Sequence, residues 1–252
     1  MRTTILTIAL CGLLSCPLTS ATAFDDTLRE VTEFLRLQMR CGYPDRGIPP
    51  LAPLEVPYKA VDNQAGGFNF KGNFTDLSIA GLDGFEFSKL EWNNIFHTIK
   101  FDVVLPHLKL SSSNYKLNIL AHLLGLDLSL WGDGVFDLEL INLRAYGSFI
   151  IRPTSATNGV YVKSWKVVWE LEEARSQTTG IMGSRVYSKV VNDLIKEFLE
   201  LLINDNPDEI SQFMEDLIVP PLNEVLANVA WYEITAVILG LAEGILPVEA
   251  IC

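Results

Sequence analysis

Groups that perform metal, redox or nucleophilic chemistry are scarce in this chain. Its 252 residues include only three histidines, His97, His107 and His122, and four cysteines. No C-x-x-C, H-E-x-x-H, G-x-S-x-G elbow, phosphate loop or dinucleotide glycine fingerprint occurs. The common local marks of zinc, hydrolase and nucleotide chemistry are therefore missing. A metal site would need the histidines gathered around a carboxylate such as Asp102, and nothing in their spacing dictates that. No metal, no cofactor and no enzyme activity are expected. Positive charge is short as well, 19 Lys+Arg against 31 Asp+Glu for a net −12. Nucleic acid and anionic lipid surfaces attract basic faces, so a phosphate-binding role is not expected and nucleic acid is not an expected partner. Long apolar runs are absent beyond the N-terminus. The one worth testing, residues 234–242, is bracketed by Glu233 and Glu243. It is too short to cross a bilayer and should pack inside protein, leaving no transmembrane segment in the mature chain.

What is present begins with an address. Residues 1–23 place Arg2 before an apolar stretch and end in Ala21-Thr22-Ala23, the small-x-small pattern of a secretory signal peptide. Residues 24–252 are then the mature chain, read as a single domain. Cys11 and Cys16 leave with the leader, so Cys41 and Cys252 remain. In an oxidising compartment they either form one intramolecular disulfide, stay free, or pair between chains; the first is the expectation. Asn73-Phe74-Thr75 is the only N-x-S/T triplet and marks Asn73 as a candidate glycosylation site.

The mature chain changes period twice. Leu28, Val31, Phe34, Leu35 and Met39 fall on one helical face up to Cys41-Gly42-Tyr43-Pro44. The proline-spaced segment 47–57 should run extended over a surface. From about Phe68 to Leu171 the pattern is period two: Ile95, His97, Ile99, Phe101, Val103 and Leu105 share one side of a strand, and Trp165, Val167, Trp169 and Leu171 share another. The parity change around Gly125 predicts a bulge, and Gly132-Asp133-Gly134 predicts a turn. Helical spacing returns from Val186 to Leu202, breaks at Asn204-Asp205-Asn206-Pro207 and resumes through Ile210, Phe213, Met214, Leu217 and Ile218. Pro220-Pro221 should kink or interrupt this last helix. Helix, curved antiparallel sheet, then long helices is an α+β order.

Carboxylate pairs such as Asp83 with Glu86 or Glu172 with Glu173 read as a solvated face, and Ser184 and Ser188 have no identifiable base partner. The aromatic supply is larger. Phe85, Phe87, Phe101, Trp131, Phe136, Trp165, Trp169 and Phe213, with Met214, are candidate walls of an internal cavity, and core packing explains each equally well. A strongly bent sheet along long helices can leave such a cavity, where a sparingly soluble molecule gains roughly 25 cal/mol for each Å² it buries.

Gly47-Ile48-Pro49-Pro50-Leu51-Ala52-Pro53-Leu54, just after an amphipathic helix and a cysteine, resembles the G-I-P-x-L-D-P-L hallmark of insect takeout and juvenile hormone-binding proteins. Leu77-Ser78-Ile79-Ala80-Gly81-Leu82 is similar to the family's N-L-x-x-x-G-L segment, and Tyr115-Lys116-Leu117 to its Y-x-x-x-G strand. Gly132-Asp133-Gly134 stands at its G-x-G turn, and the stretch from Phe198 to Asn206 resembles its F-L-N-E-N region. These run in the family's order over about positions 25 to 235. The resemblance implies a TULIP-type fold, a highly curved antiparallel sheet wrapping a long helix around a hydrophobic tunnel. It also implies secretion into hemolymph or another extracellular fluid, with members linked to juvenile hormone transport, feeding, circadian output and chemosensation. Two departures stand: members usually carry two cysteines close together near the N-terminus where only Cys41 is present, and Ala52 replaces the usual Asp.

The sequence reading is thus a secreted, non-enzymatic carrier of a small hydrophobic ligand in an internal tunnel. Its alternatives are an extracellular interaction protein with a filled tunnel that binds a receptor or other secreted protein, and, third, a secreted hydrolase.

Overall fold

In the computed structural model the described residues are 30, 32–42, 44, 49–65, 68–93, 96–123, 126–154 and 159–232. The expected leader, Gly125, the 234–242 run and Cys252 lie outside them. A short helix α1 (32–39) precedes six strands: β1 (Leu54–Ala65), β2 (Phe68–Ala80), β3 (Glu86–Asn93), β4 (Thr98–Leu123), β5 (Leu126–Pro153) and β6 (Val160–Ser176). Helices α2 (Arg185–Asp205) and α3 (Pro207–Leu226) follow. All strand pairs are antiparallel, in the order β1-β2-β4-β5-β6, with β3 beside the first part of β4. Pro57 sits in the edge strand β1, where a missing amide costs least.

The alternation read from sequence sets the inner face. Cross-strand rows Val103–Ala145–Trp169 and Leu105–Leu143–Leu171 carry it across β4, β5 and β6. Ala145, Trp169, Leu143 and Leu171 form one core cluster with Leu108, Val167, Ala174, Ile203 and Ile210, the last two contributed by α2 and α3, and Val103 and Leu105 pack against it. The next inward row is Leu108–Leu140–Ala174, so two residues, not one, intervene on each of the three strands. The intervening pairs are Pro106-His107, Ile141-Asn142 and Glu172-Glu173, and Asn142 adopts φ 50°. The pleat therefore resets along one line through three strands, and this is where the long strands change face.

Two turn assignments need correction. Leu123 pairs with Leu126, so the chain reverses there as a hairpin, and the parity change near Gly125 is the far side of that hairpin, not a bulge. Gly132-Asp133-Gly134 lies inside β5, opposite Leu117, Lys116 and Tyr115. These glycines answer close approach: a Cβ at Gly132 would lie 2.1 Å from the Tyr115 hydroxyl, and one at Gly134 would lie 2.6 Å from the Thr179 carbonyl. The interruption that Pro220-Pro221 could bring does not occur, because α3 runs through both. Both prolines are exposed, as are Asp216 and Leu217, whose carbonyls lose their amide partners. Water can satisfy those carbonyls on the outer side of the helix.

The free edge of β6 is covered by asparagines from the helices. Asn192 Nδ2 donates to the Thr178 carbonyl (2.8 Å) while its Oδ1 accepts from the Thr178 amide (3.1 Å). Asn204 does the same for Leu171, at 2.9 Å in both directions. The Val162 amide donates to Asn223 Oδ1 at 2.8 Å. Each carboxamide stands in for a peptide group, so α2 and α3 run antiparallel along β6 and close an edge that would otherwise recruit another strand. Asn204→Leu strands both Leu171 backbone groups. It should lower stability by about 1–3 kcal/mol, read as a reduced urea midpoint at unchanged slope.

The break between the helices forms as expected, with a detail sequence did not supply. Asn206 lies between α2 and α3, yet its side chain turns back to donate to the Leu202 carbonyl at 3.1 Å. Pro207, Asp208 and Glu209 then open α3.

Candidate functional site

The candidate site is the apolar inner face between the sheet and the two long helices. Alternation on β4 places Ile99, Phe101, Val103 and Leu105 inward; on β5 the matching positions are Phe149, Gly147, Ala145 and Leu143; on β6 they are Trp165, Val167, Trp169 and Leu171. From α3 the stripe Ile210–Met214–Ile218 closes over them, and from α2 Leu199, Leu202 and Ile203. The centre is tightly packed: Leu143 is 3% and Val167 1% exposed. Around it, large apolar side chains on the same face remain only half-buried, among them Phe101, Leu105, Trp165, Met214 and Ile218. An inner face that packs against a core and still keeps accessible apolar surface is what a guest molecule could cover.

Four of the candidate wall residues converge here: Phe101, Trp165, Trp169 and Met214. Phe101 meets Phe149 edge-on at 5.8 Å, and Phe149 stacks on Trp165 at 6.1 Å. The other five lie elsewhere. Phe136 joins Phe74 and Tyr115 in a second aromatic group towards the β4–β5 hairpin. Phe85 and Phe87 pack on each other at 5.3 Å, with the Arg36 guanidinium of α1 over the Phe85 ring and donating to its carbonyl. Phe213 is half-buried, one position off the stripe of α3. Trp131 is on the outside, 45% exposed, opposite exposed Asn118. Sequence reasoning missed Phe149, which shares parity with Gly147 and Ala145 and so was readable.

Polar atoms at this face are few and poorly matched. The Nε1–H groups of Trp165 and Trp169 are buried without a hydrogen-bond partner, as is Nδ1 of His97, whose ring meets both Trp92 (6.2 Å) and Trp231 (4.7 Å), themselves 6.1 Å apart. Tyr115, 4% exposed, donates its hydroxyl to the Thr179 carbonyl at 3.0 Å. Burial first, and the Asp133 charge second, push its pKa up to about 12, so it stays a neutral donor.

Catalytic readings find little to work with. Ser184 caps α2 and Ser188 donates to the Ser184 carbonyl while accepting from the Ile181 amide. His107 lies 3.5 Å from Glu139 on the outer face. Among the described residues, no cluster of three His, Cys, Asp or Glu side chains is placed to hold a metal ion.

The outer face is instead stitched by ion pairs. Arg144 makes a two-pronged contact with Asp102 (2.9 and 2.7 Å) and reaches Glu170 at 3.0 Å. The Arg144 guanidinium holds the Asp102 carboxyl below its usual range, Lys109 and then His107 do so for Glu139, and Arg175 for Glu173. A folded pKa below the unfolded one means stability that is present above the unfolded value and lost as pH falls through the folded one. The melting temperature should therefore drop as pH is lowered below about 4 and change little from 5 to 7, checked by thermal melts across that range.

The architecture is that of the TULIP class, in which a curved antiparallel sheet and long helices enclose an apolar interior. The profile of the haemolymph juvenile hormone binding protein (JHBP) family matches residues 11–236, and the chain belongs to that family. Among solved structures it is similar to Takeout 1 of Epiphyas postvittana, with 17% identity and a TM-score of 0.55, covering 81% of this chain and 93% of that one. A lipopolysaccharide binding protein also matches, with 12% identity and a TM-score of 0.32, covering 82% of this chain and 40% of that one. No curated protein matches the chain.

Proposed function

We propose that this protein is a secreted carrier of a small hydrophobic molecule, a juvenile hormone-like terpenoid, a fatty acid or another lipid, held at the inner face between β4–β6 and the helices α2 and α3. The observation that carries the reading is the half-buried apolar wall of Phe101, Leu105, Trp165, Met214 and Ile218 around a packed centre. Family membership supports it. The wall supplies area and almost no polar specificity, so affinity should follow the apolar surface of the ligand.

The reading extends to the chain's history. We propose removal of residues 1–23, a Cys41–Cys252 disulfide and a glycan on Asn73. Asn73 is half-buried in β2, and strand alternation puts it on the face opposite Phe74, which packs inward on Phe136. A sugar there would point away from the core.

Organic extraction of protein purified from a secretory host, followed by mass spectrometry, tests the function. Consistent recovery of about one lipid per chain is expected. An empty chain that takes up neither a terpenoid nor a fatty acid probe overturns the carrier reading in favour of a surface that binds a protein partner. Intact and non-reduced masses of the same sample read the leader, the disulfide and the glycan.

A further inference from the structure

Two polar atoms of the inner face have no partner in the folded chain. Trp165 and Trp169 lie on β6 with the same parity, opposite Phe149 and Ala145 of β5 and with Val167 between them. Four residues of strand set them about 13 Å apart at the backbone. Trp169 is 9% exposed and Trp165 half-buried, and the Nε1–H of each is enclosed without an acceptor. A buried indole N–H is unfavourable unpaired, and most such groups in folded proteins find a partner. Here the exception occurs twice on one face of one strand.

The surroundings decide what could pair with them. The buried polar side chains among the described residues, Gln38, Ser112, Thr178 and Ser188, are all bonded elsewhere. A water at either indole would need further polar partners, and the neighbours on this face are Phe149, Ala145 and Val167. Cations are absent from the wall as well. Lys163, Lys166 and Arg175 of β6 and Arg185, Lys189 and Lys196 of α2 are exposed, and α3 carries no Lys or Arg. Glu200 of α2, half-buried with Oε1 enclosed and unpaired, adds negative charge on the helix side. A carboxylate brought here would be a buried charge without a counter-ion, which is costly. A neutral oxygen acceptor has no such penalty.

We infer that Trp165 and Trp169 are specificity-determining residues of the inner face, donating to a neutral oxygen acceptor, the carbonyl of a ketone or an ester, on a long-chain apolar guest. The inference rests on the carrier reading and narrows its ligand. Apolar area sets the affinity, and the two N–H groups choose among guests of equal area. A hydrocarbon leaves both unpaired. A guest reaches them by displacing half-buried side chains around the packed centre, among which the unbranched Met214 adapts most readily.

The test is titration of the lipid-stripped protein with hexadecane, a mid-chain hexadecanone, methyl palmitate and palmitate, the last at about pH 8 where it is ionised. Binding is read by competition with a fluorescent hydrophobic probe, and proton–nitrogen NMR follows the five indole N–H signals. Trp165→Phe and Trp169→Phe assign their two signals. The ketone or the ester should move one or both downfield, as a new acceptor does, while hexadecane leaves them in place. Trp165→Phe/Trp169→Phe should weaken the carbonyl guests about tenfold more than hexadecane, roughly the factor one net hydrogen bond contributes. The wild-type spectra decide the matter even where the double variant fails to fold. Carbonyl guests that bind and move neither signal overturn this inference and leave the carrier reading standing. Palmitate that moves the signals as far as its methyl ester overturns the neutral acceptor. A chain that binds none of the four overturns both readings.

Discussion

Gly147→Ala is expected to abolish cooperative folding. Gly147 lies mid-sheet on the inner face, between Phe101 of β4 and Val167 of β6, with φ 147°. An added Cβ would stand 2.0 Å from the Lys166 carbonyl oxygen, a backbone atom that cannot swing aside as a side chain would. Relief requires moving β6 away from β5, which breaks the pairing that carries Trp165, Val167 and Trp169 into the core. Such a change costs upwards of about 4 kcal/mol, a large part of the roughly 5–15 kcal/mol available to a domain. The protein should be recovered insoluble or without a thermal transition. Gly84→Ala is the control: nothing lies within 4 Å of its added Cβ, and its melting temperature should stay within a few degrees of wild type. Soluble Gly147→Ala protein with a normal melt would mean that β5 and β6 are not paired as described.

The second large effect belongs to Trp169. It is 9% exposed and packs in the core shared by β5, β6, α2 and α3, while its indole Nε1–H has no acceptor. Trp169→Ala removes only apolar contact and leaves a void, at about 3–5 kcal/mol. Trp169→Phe keeps most of the ring and loses no hydrogen bond, so it should cost about 1–2 kcal/mol and remain folded. Chemical denaturation of both variants checks the ratio. On the carrier reading, Trp169→Phe should retain uptake of a hydrophobic probe, whereas Trp169→Ala, where folded, alters it. Equal destabilisation by the two would place a hydrogen bond at Nε1 that this geometry does not contain.

Part of the candidate inner face is legible in the sequence. Phe101, Trp165 and Trp169 share the inner face because alternation fixes which side chains lie on one side of a strand, and Met214 joins them because it lies four residues after Ile210 on a helix. Trp131 was misplaced although the same rule excluded it: Leu130 and Ile119 form a half-buried cross-strand pair, which puts Trp131 on the other side. Phe85, Phe87 and Phe136 are half-buried but belong to other groups, since shared character does not bring residues together without a register. On α2 the sequence offered Val186, Val190, Val191, Leu194, Ile195, Phe198, Leu201 and Leu202 as a single apolar face. The arc is wider than the contact, and only its Val191–Ile195–Phe198–Leu202 side turns towards protein.

Sequence by itself determined what depends on near neighbours: strand alternation, the helical stripes, the break at Asn206-Pro207, the family hallmark and the scarcity of catalytic groups. Local backbone geometry repeats every two or 3.6 residues, so those features are written in short windows. Only the tertiary structure decided which strands became partners, that Gly132-Asp133-Gly134 lies within a strand, that the pleat resets at Asn142, and that Asn192, Asn204 and Asn223 close the edge of β6. Each of these joins residues far apart along the chain, and their pairing depends on where whole elements come to rest.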